Sequence, residues 1–164
     1  MKKIARSLMA LFAASVVSLS ISTPASAAGQ GSACYTAHVA GNGWDANWSC
    51  NGNVVGTWGK NKALEALGVS IGGVGRYCVN AHLRDYGWQG ERCSDGIGAI
   101  HSVTVGTTGQ NRPIEALEIW TEYGYIHGVA HVQDMGWMDE AHGRTIRLGV
   151  TGKALKMEAV GLWF

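Results

Sequence analysis

The sequence predicts an all-β fold, a closed pseudo-threefold body of three repeats that is β-prism-like, with the β-trefoil as the alternative. Three observations carry that expectation. One set of landmarks recurs three times, apolar residues alternate with period two, and the chain holds 24 glycines against 2 prolines. A unit that recurs at this spacing cannot bury its apolar face alone, so three copies should share one core. Glycine at that density, set among valine, isoleucine and aromatics, marks tight turns between short strands.

The chain opens with Lys2, Lys3 and Arg6, a mostly apolar stretch from Leu8 to Ile21, and Pro24 before Ala25-Ser26-Ala27. A basic start, an apolar middle and a small-x-small end form a secretory signal peptide, expected over residues 1–27. The apolar stretch falls short of the roughly 20 residues a membrane span needs. Residues 28–164 are then one domain by length. Three of the 13 Lys and Arg leave with the leader, so 10 cations face 12 acids. No basic run remains, which argues against nucleic acid or an anionic membrane surface as a partner. No second apolar segment reaches spanning length, so no membrane insertion of the mature chain is expected.

The repeats span about residues 34–73, 76–122 and 125–164. Each begins with an alternating strand: Ala37-His38-Val39, Ala81-His82-Leu83 and Ala130-His131-Val132 occupy equivalent places. A Gly-Trp pair follows, with Trp44, Trp88 and Trp137 each six residues after the histidine. Next comes a Gly-x-x-Gly turn, at Gly56–Gly59, Gly106–Gly109 and Gly149–Gly152. Glu-Ala stands six residues beyond its second glycine, as Glu65-Ala66, Glu115-Ala116 and Glu158-Ala159. The distance from Trp to turn is 12, 18 and 12 residues, which places a six-residue insertion in copy two around Asp95 to Ser102. Each copy closes on an apolar strand: Leu67-Val69-Ile71, Leu117-Ile119, Val160-Leu162-Phe164. Three to four strands per copy are expected. Lys60 to Leu67 holds good helix formers, but Pro113 and β-branched neighbours in the matching part of copy two favour strand there.

Four cysteines in an exported chain make two disulfides. Cys34 and Cys78 each lie four residues before the repeat histidine, and Cys50 and Cys93 lie six and five after the repeat tryptophan. Equivalent positions imply equivalent bonds, Cys34–Cys50 and Cys78–Cys93. Copy three carries His127 in the first of these places and relies on packing. No C-x-x-C pair points to a metal site.

The candidate binding residues are the shared His38, Trp44, His82, Trp88, His131 and Trp137, with the unshared Trp48, Trp58 and Trp120. For the shared tryptophans core packing is the favoured reading, since a large residue present in every copy usually anchors the fold. Unshared tryptophans, if exposed, would better mark a site. The shared histidine has three readings: a three-His zinc site at the axis, a pocket lined with the shared glutamate, or a half-buried residue held by that glutamate or a carbonyl. The last is favoured, so no cofactor, metal or catalytic residue is expected. No G-x-S-x-G elbow, H-E-x-x-H motif or singled-out carboxylate pair appears, and three equal copies argue against one catalytic centre.

Tyr35-Thr-Ala-His-Val, Gly43-Trp44, Gly56-Thr-Trp-Gly59 and Leu64-Glu65-Ala66 together resemble the clostridial hydrophobic repeat with conserved tryptophan. Gly106-Thr-Thr-Gly109 with Glu115-Ala116-Leu117-Glu118-Ile119, and Ala130-His-Val-Gln-Asp-Met-Gly136-Trp137, are similar to it as well. The resemblance covers Cys34 to Phe164 and departs from the family in the added cysteine pairs. It implies a secreted or surface protein of a Gram-positive bacterium, serving adhesion or binding. The expected function is a secreted non-catalytic adaptor that recognises another secreted or surface protein, since unequal copies suit one asymmetric partner. The alternative is a lectin for cell-wall or extracellular polysaccharide, with up to three related pockets.

Overall fold

Fifteen strands and no helix make up the described part of the computed structural model, residues 31–94 and 102–164. The leader expected over residues 1–27 and most of the insertion in copy two lie outside those residues. Copy one supplies β1 (Ser32–Val39), β2 (Gly43–Trp44), β3 (Ser49–Cys50), β4 (Val55–Gly56) and β5 (Leu64–Gly72). Copy two supplies β6 (Tyr77–Leu83), β7 (Gly87–Trp88), β8 (Arg92–Ser94), β9 (Val103–Gly106) and β10 (Ile114–Thr121). The last copy supplies β11 (Ile126–Val132), β12 (Gly136–Trp137), β13 (Ala141–Gly143), β14 (Thr145–Gly149) and β15 (Met157–Trp163). Each copy thus has five strands, more than the three or four expected. The extra ones are two or three residues long, too short to show an alternating pattern.

The strands form three separate antiparallel sheets of five, ordered β2-β1-β5-β9, β7-β6-β10-β14 and β12-β11-β15-β4, with β3, β8 and β13 on β1, β6 and β11. The arrangement is consistent with a β-prism-like body. Each copy keeps four strands in its own sheet and gives the fourth in sequence to another. β9 of copy two pairs with β5 of copy one, β14 of copy three with β10 of copy two, and β4 of copy one with β15 of copy three. The exchange is cyclic.

Two landmarks of the sequence meet at these exchanges. Gly106 is opposite Ala66, Gly149 opposite Ala116, and Gly56 opposite Ala159. The backbone there is at φ +92°, +82° and +92°, where L side chains are strained. A Cβ on Gly106 would also stand 2.2 Å from the Glu65 carbonyl oxygen. That carbonyl accepts a 2.8 Å hydrogen bond from the Thr107 N–H. Glu158 and Glu115 receive Thr57 and Val150 in the same way, at 2.9 and 3.1 Å. The Gly-x-x-Gly and Glu-Ala signals are the two halves of one junction.

Inward residues of the long strands build one shared core. Tyr35 and Leu67 from copy one, Leu83 and Ile119 from copy two, and Ile126 and Leu162 from copy three are all at most 1% exposed. Two buried tyrosines tie sheets together. The Tyr35 hydroxyl donates to the Asn53 carbonyl at 2.6 Å and accepts from the Leu162 N–H of β15 at 2.9 Å. The Tyr77 hydroxyl donates to the Val69 carbonyl of β5 at 3.0 Å. Burial pushes the pKa of both phenols up.

Both disulfides form as the repeat implied. Cys34 faces Cys50 across β1–β3, and Cys78 faces Cys93 across β6–β8. Closing loops of this length contributes about 3 kcal/mol each by restricting the unfolded chain. The matching pair between β11 and β13 is His127 opposite His142, with rings stacked at 5.6 Å. Trp163 stacks on His127 at 5.8 Å, and Glu140 lies 2.6 Å from its Nδ1. Packed rings replace the covalent bond.

Candidate functional site

A bulge sets the site in every copy. Pairing shifts by one residue between His38 and Val39 against β5, between Ala116 and Ile114 against β6, and between His131 and Val132 against β15. The extra residue is Glu65, Glu115 or Glu158. An unpaired bulge residue breaks the alternation and re-aims its side chain. Each glutamate is consequently 4–5% exposed, although it sits in an alternating strand.

The glutamate turns toward the histidine of its own copy. His38 Nδ1 is 3.2 Å from Glu65 Oε2, His82 Nδ1 is 3.1 Å from Glu115 Oε2, and His131 Nδ1 is 3.1 Å from Glu158 Oε2. These are close polar contacts without the alignment of a hydrogen bond. Arg84 Nε stands 3.6 Å from the other oxygen of Glu115. Each imidazole meets the edge-on tryptophan across the hairpin, at 5.5 Å to Trp44, 5.3 Å to Trp88 and 5.3 Å to Trp137, with rings 77–80° apart. A buried acid holds a half-buried imidazole, which holds an indole.

The expectation that the shared tryptophans are core anchors is corrected. Trp44 and Trp137 are each 43% exposed, and Trp88 is partly buried. They sit on two-residue strands at the sheet margin, while aliphatic residues of the long strands fill the interior. Trp88 differs from the other two because Arg147 of β14 lies over its ring at 5.3 Å. The favoured reading of the histidines holds, with the shared glutamate as partner. Among the described residues they do not gather into a metal-binding group. The one group of ligand atoms close enough among the described residues is Cys78, Glu91 and Cys93, and a disulfide leaves those sulfurs no thiolate to offer.

The unshared tryptophans divide. Trp48 is 47% exposed and Trp58 is 53% exposed. Trp58 lies in the first Gly-x-x-Gly turn and meets Trp137 of copy three at 5.9 Å, a contact made by strand exchange. Trp120 is half-buried beside Cys78 and Glu91. Trp44 and Trp48 wall a shallow cleft of about 300 Å³ whose floor is Thr36, Gly68 and Thr104 and whose rim is Asp45. Thr36, Asp45, Gly68 and Thr104 were not among the sequence candidates. Gly68 interrupts an apolar strand, which was a signal, but Thr104 reaches this cleft from copy two and carried none. A second cleft, about 670 Å³, lies where copies two and three meet, with His82, Arg84, Tyr86, Glu115 and Lys153 around it.

The described residues include no helix long and apolar enough to cross a membrane. Two disulfides suit an extracellular or otherwise oxidising environment. The Clostridial hydrophobic W family model matches the chain at residues 38–73 and 82–122, the first two copies. No curated protein matches the chain, and no solved structure does.

Proposed function

We propose that the protein is a secreted, non-catalytic carbohydrate-binding module, whose outward tryptophans stack on the apolar faces of sugar rings. One observation carries this reading: Trp44 and Trp137 stand at the surface with their rings set nearly perpendicular to a histidine that lies against a buried glutamate. A ring that loses little freedom on binding retains more of its stacking energy. The shallow cleft between Trp44 and Trp48 supports the sugar reading further, because it joins two aromatic walls to hydroxyl and carboxylate groups. Such a mixture suits a polyhydroxylated ring better than an apolar peptide side chain. A glycan of a cell wall or of extracellular polysaccharide is the natural ligand class, and several weak contacts along a polymer would gain from avidity.

A protein partner is the second reading, and it too has an observation behind it. Trp58 and Trp137, both exposed, meet at 5.9 Å across two copies, and an exposed aromatic pair is the kind of patch that marks a protein contact. One experiment separates the two. Tagged protein is incubated with native culture supernatant and, separately, with insoluble cell-wall glycan. Retention on the glycan, competed by soluble fragments of it, supports the module. Stoichiometric protein partners with no glycan retention would overturn it in favour of an adaptor.

A further inference from the structure

One row of three residues crosses the outer face of each sheet at the same register, and the three rows differ in chemistry. In the first sheet the row is Thr36, Gly68 and Thr104. In the second it is Asn80, Glu118 and Arg147, with Arg147 Nη2 3.0 Å from Glu118 Oε2 and its guanidinium over Trp88. In the third, Val129 is opposite Gly161, and Val54, just before β4, approaches that glycine to 3.5 Å of where a Cβ would stand. The rows are hydroxyl-bearing, charged and apolar respectively.

Only the first row lies beside two exposed tryptophans, with Thr104 exposed at one end and Thr36 and Gly68 buried beneath. Gly68 makes this possible: a Cβ there would be 3.1 Å from Thr36 Cγ2 and 3.4 Å from the Trp48 ring. A longer side chain would displace Trp48 and fill the floor. In the second sheet the equivalent position is Glu118, and its ion pair with Arg147 occupies the space while the guanidinium caps the tryptophan. In the third, valines flank the glycine and offer a hydroxylated ligand no polar partner.

Resting on the carbohydrate reading above, we infer that the molecule has one saccharide subsite of this type, the Trp44–Trp48 cleft of the first sheet, and that it takes an uncharged sugar. Trp44 and Trp48 stack on the ring faces. The exposed Thr104 exchanges hydrogen bonds with sugar hydroxyls and the Asp45 carboxylate accepts from them, while the buried Thr36, whose hydroxyl reaches the Asp45 carbonyl, supports the floor. Asp45 is the charged residue of the cleft, so it disfavours uronic acids and phosphate-bearing polymers. The volume of about 300 Å³ lies at the lower end for small-ligand sites and suits a short stretch of a glycan. Because Thr104 is contributed by copy two, the subsite exists only in the assembled ring.

Affinity electrophoresis tests the inference with four probes in the gel: a soluble β-glucan, a mannan, glycol chitin and anionic polygalacturonate. The wild-type protein should be retarded by at least one neutral polymer and not by polygalacturonate. Trp48→Ala and Gly68→Glu, the latter copying the second sheet, should each weaken that binding by about tenfold or more. Trp58→Ala should leave it within about twofold. Calorimetric titration with oligosaccharides of the retained polymer should give one site per chain. Near-ultraviolet circular dichroism confirms that each variant is folded, and if Gly68→Glu is not, the exposed Trp48→Ala decides. No retardation of the wild type by any neutral probe would overturn the carbohydrate reading itself. Retardation unchanged in Trp48→Ala would overturn the subsite and leave that reading standing. Three equivalent sites, or preference for polygalacturonate, would likewise overturn the single neutral subsite.

Discussion

Burial of a single phenol has consequences that solution measurements can read. Desolvation holds the Tyr35 and Tyr77 hydroxyls above the ordinary tyrosine value, against the pull of their backbone hydrogen bonds. The folded chain therefore keeps protons that an unfolded chain gives up. The folded values being raised, this stability is complete below the unfolded value of about 10 and is lost as pH rises through the folded values. Chemical denaturation from about pH 8 to about pH 11 should show stability falling at the alkaline end. Tyr35→Phe should flatten that fall while lowering stability near neutrality, because the Leu162 N–H loses its acceptor. At this scale the sequence was partly legible. The histidine–glutamate pairing could be read from two residues that recur in step. The outward position of Trp44 and Trp137 could not, because indole is large enough to serve equally as core or as platform. What decides is that the strand carrying it is only two residues long.

Strand junctions explain why the landmarks are spaced as they are. The distance from Gly-x-x-Gly to Glu-Ala looks like a feature of one copy, yet each glycine packs on the glutamate of a different copy. Gly106→Ala should destabilise the protein by about 3 kcal/mol or more, since the new methyl meets the Glu65 carbonyl as well as an unfavourable φ. Gly109→Ala, at φ +67° with nothing within 4 Å, should cost only about 1 kcal/mol. Thermal or denaturant unfolding of the two variants separates steric contact from backbone strain, and equal losses would contradict the junction. The long strands β1, β5, β6, β10, β11 and β15 were readable from alternation. The two-residue strands were not, since two residues carry no period. Equivalent cysteines revealed both disulfides. The His127–His142 stack that replaces them in the third copy was not legible, because two histidines at the cysteine positions carry no sulfur to imply a bond between them.

Across the whole molecule, sharing one core and exchanging strands should make three copies behave as one cooperative unit. A linear repeat array transmits contacts only between neighbours, whereas here the first copy also pairs with the last. Scanning calorimetry should give a single transition with calorimetric and van't Hoff enthalpies in agreement. An isolated segment spanning 34–73 should be unfolded as a dilute monomer, because it lacks the β9 strand its sheet needs and has no sheet to receive β4. Two independent transitions, or a folded single copy, would contradict this. The all-β class and the threefold repetition of landmarks were plain in the sequence. Which copy lends a strand to which was not, since repeats that are alike in sequence leave every partner equally plausible. That same ambiguity hid the cleft, whose third floor residue is borrowed.

The borrowed strand also bears on how such a chain can arise. A gene encoding one copy would yield a polypeptide that offers a strand and lacks one. Three identical chains arranged head to tail in a ring would satisfy every such pairing. Such a trimer would be obliged to keep its three outer faces identical, whereas one polypeptide holding three copies is free to carry the hydroxyl-bearing, charged and apolar rows seen here.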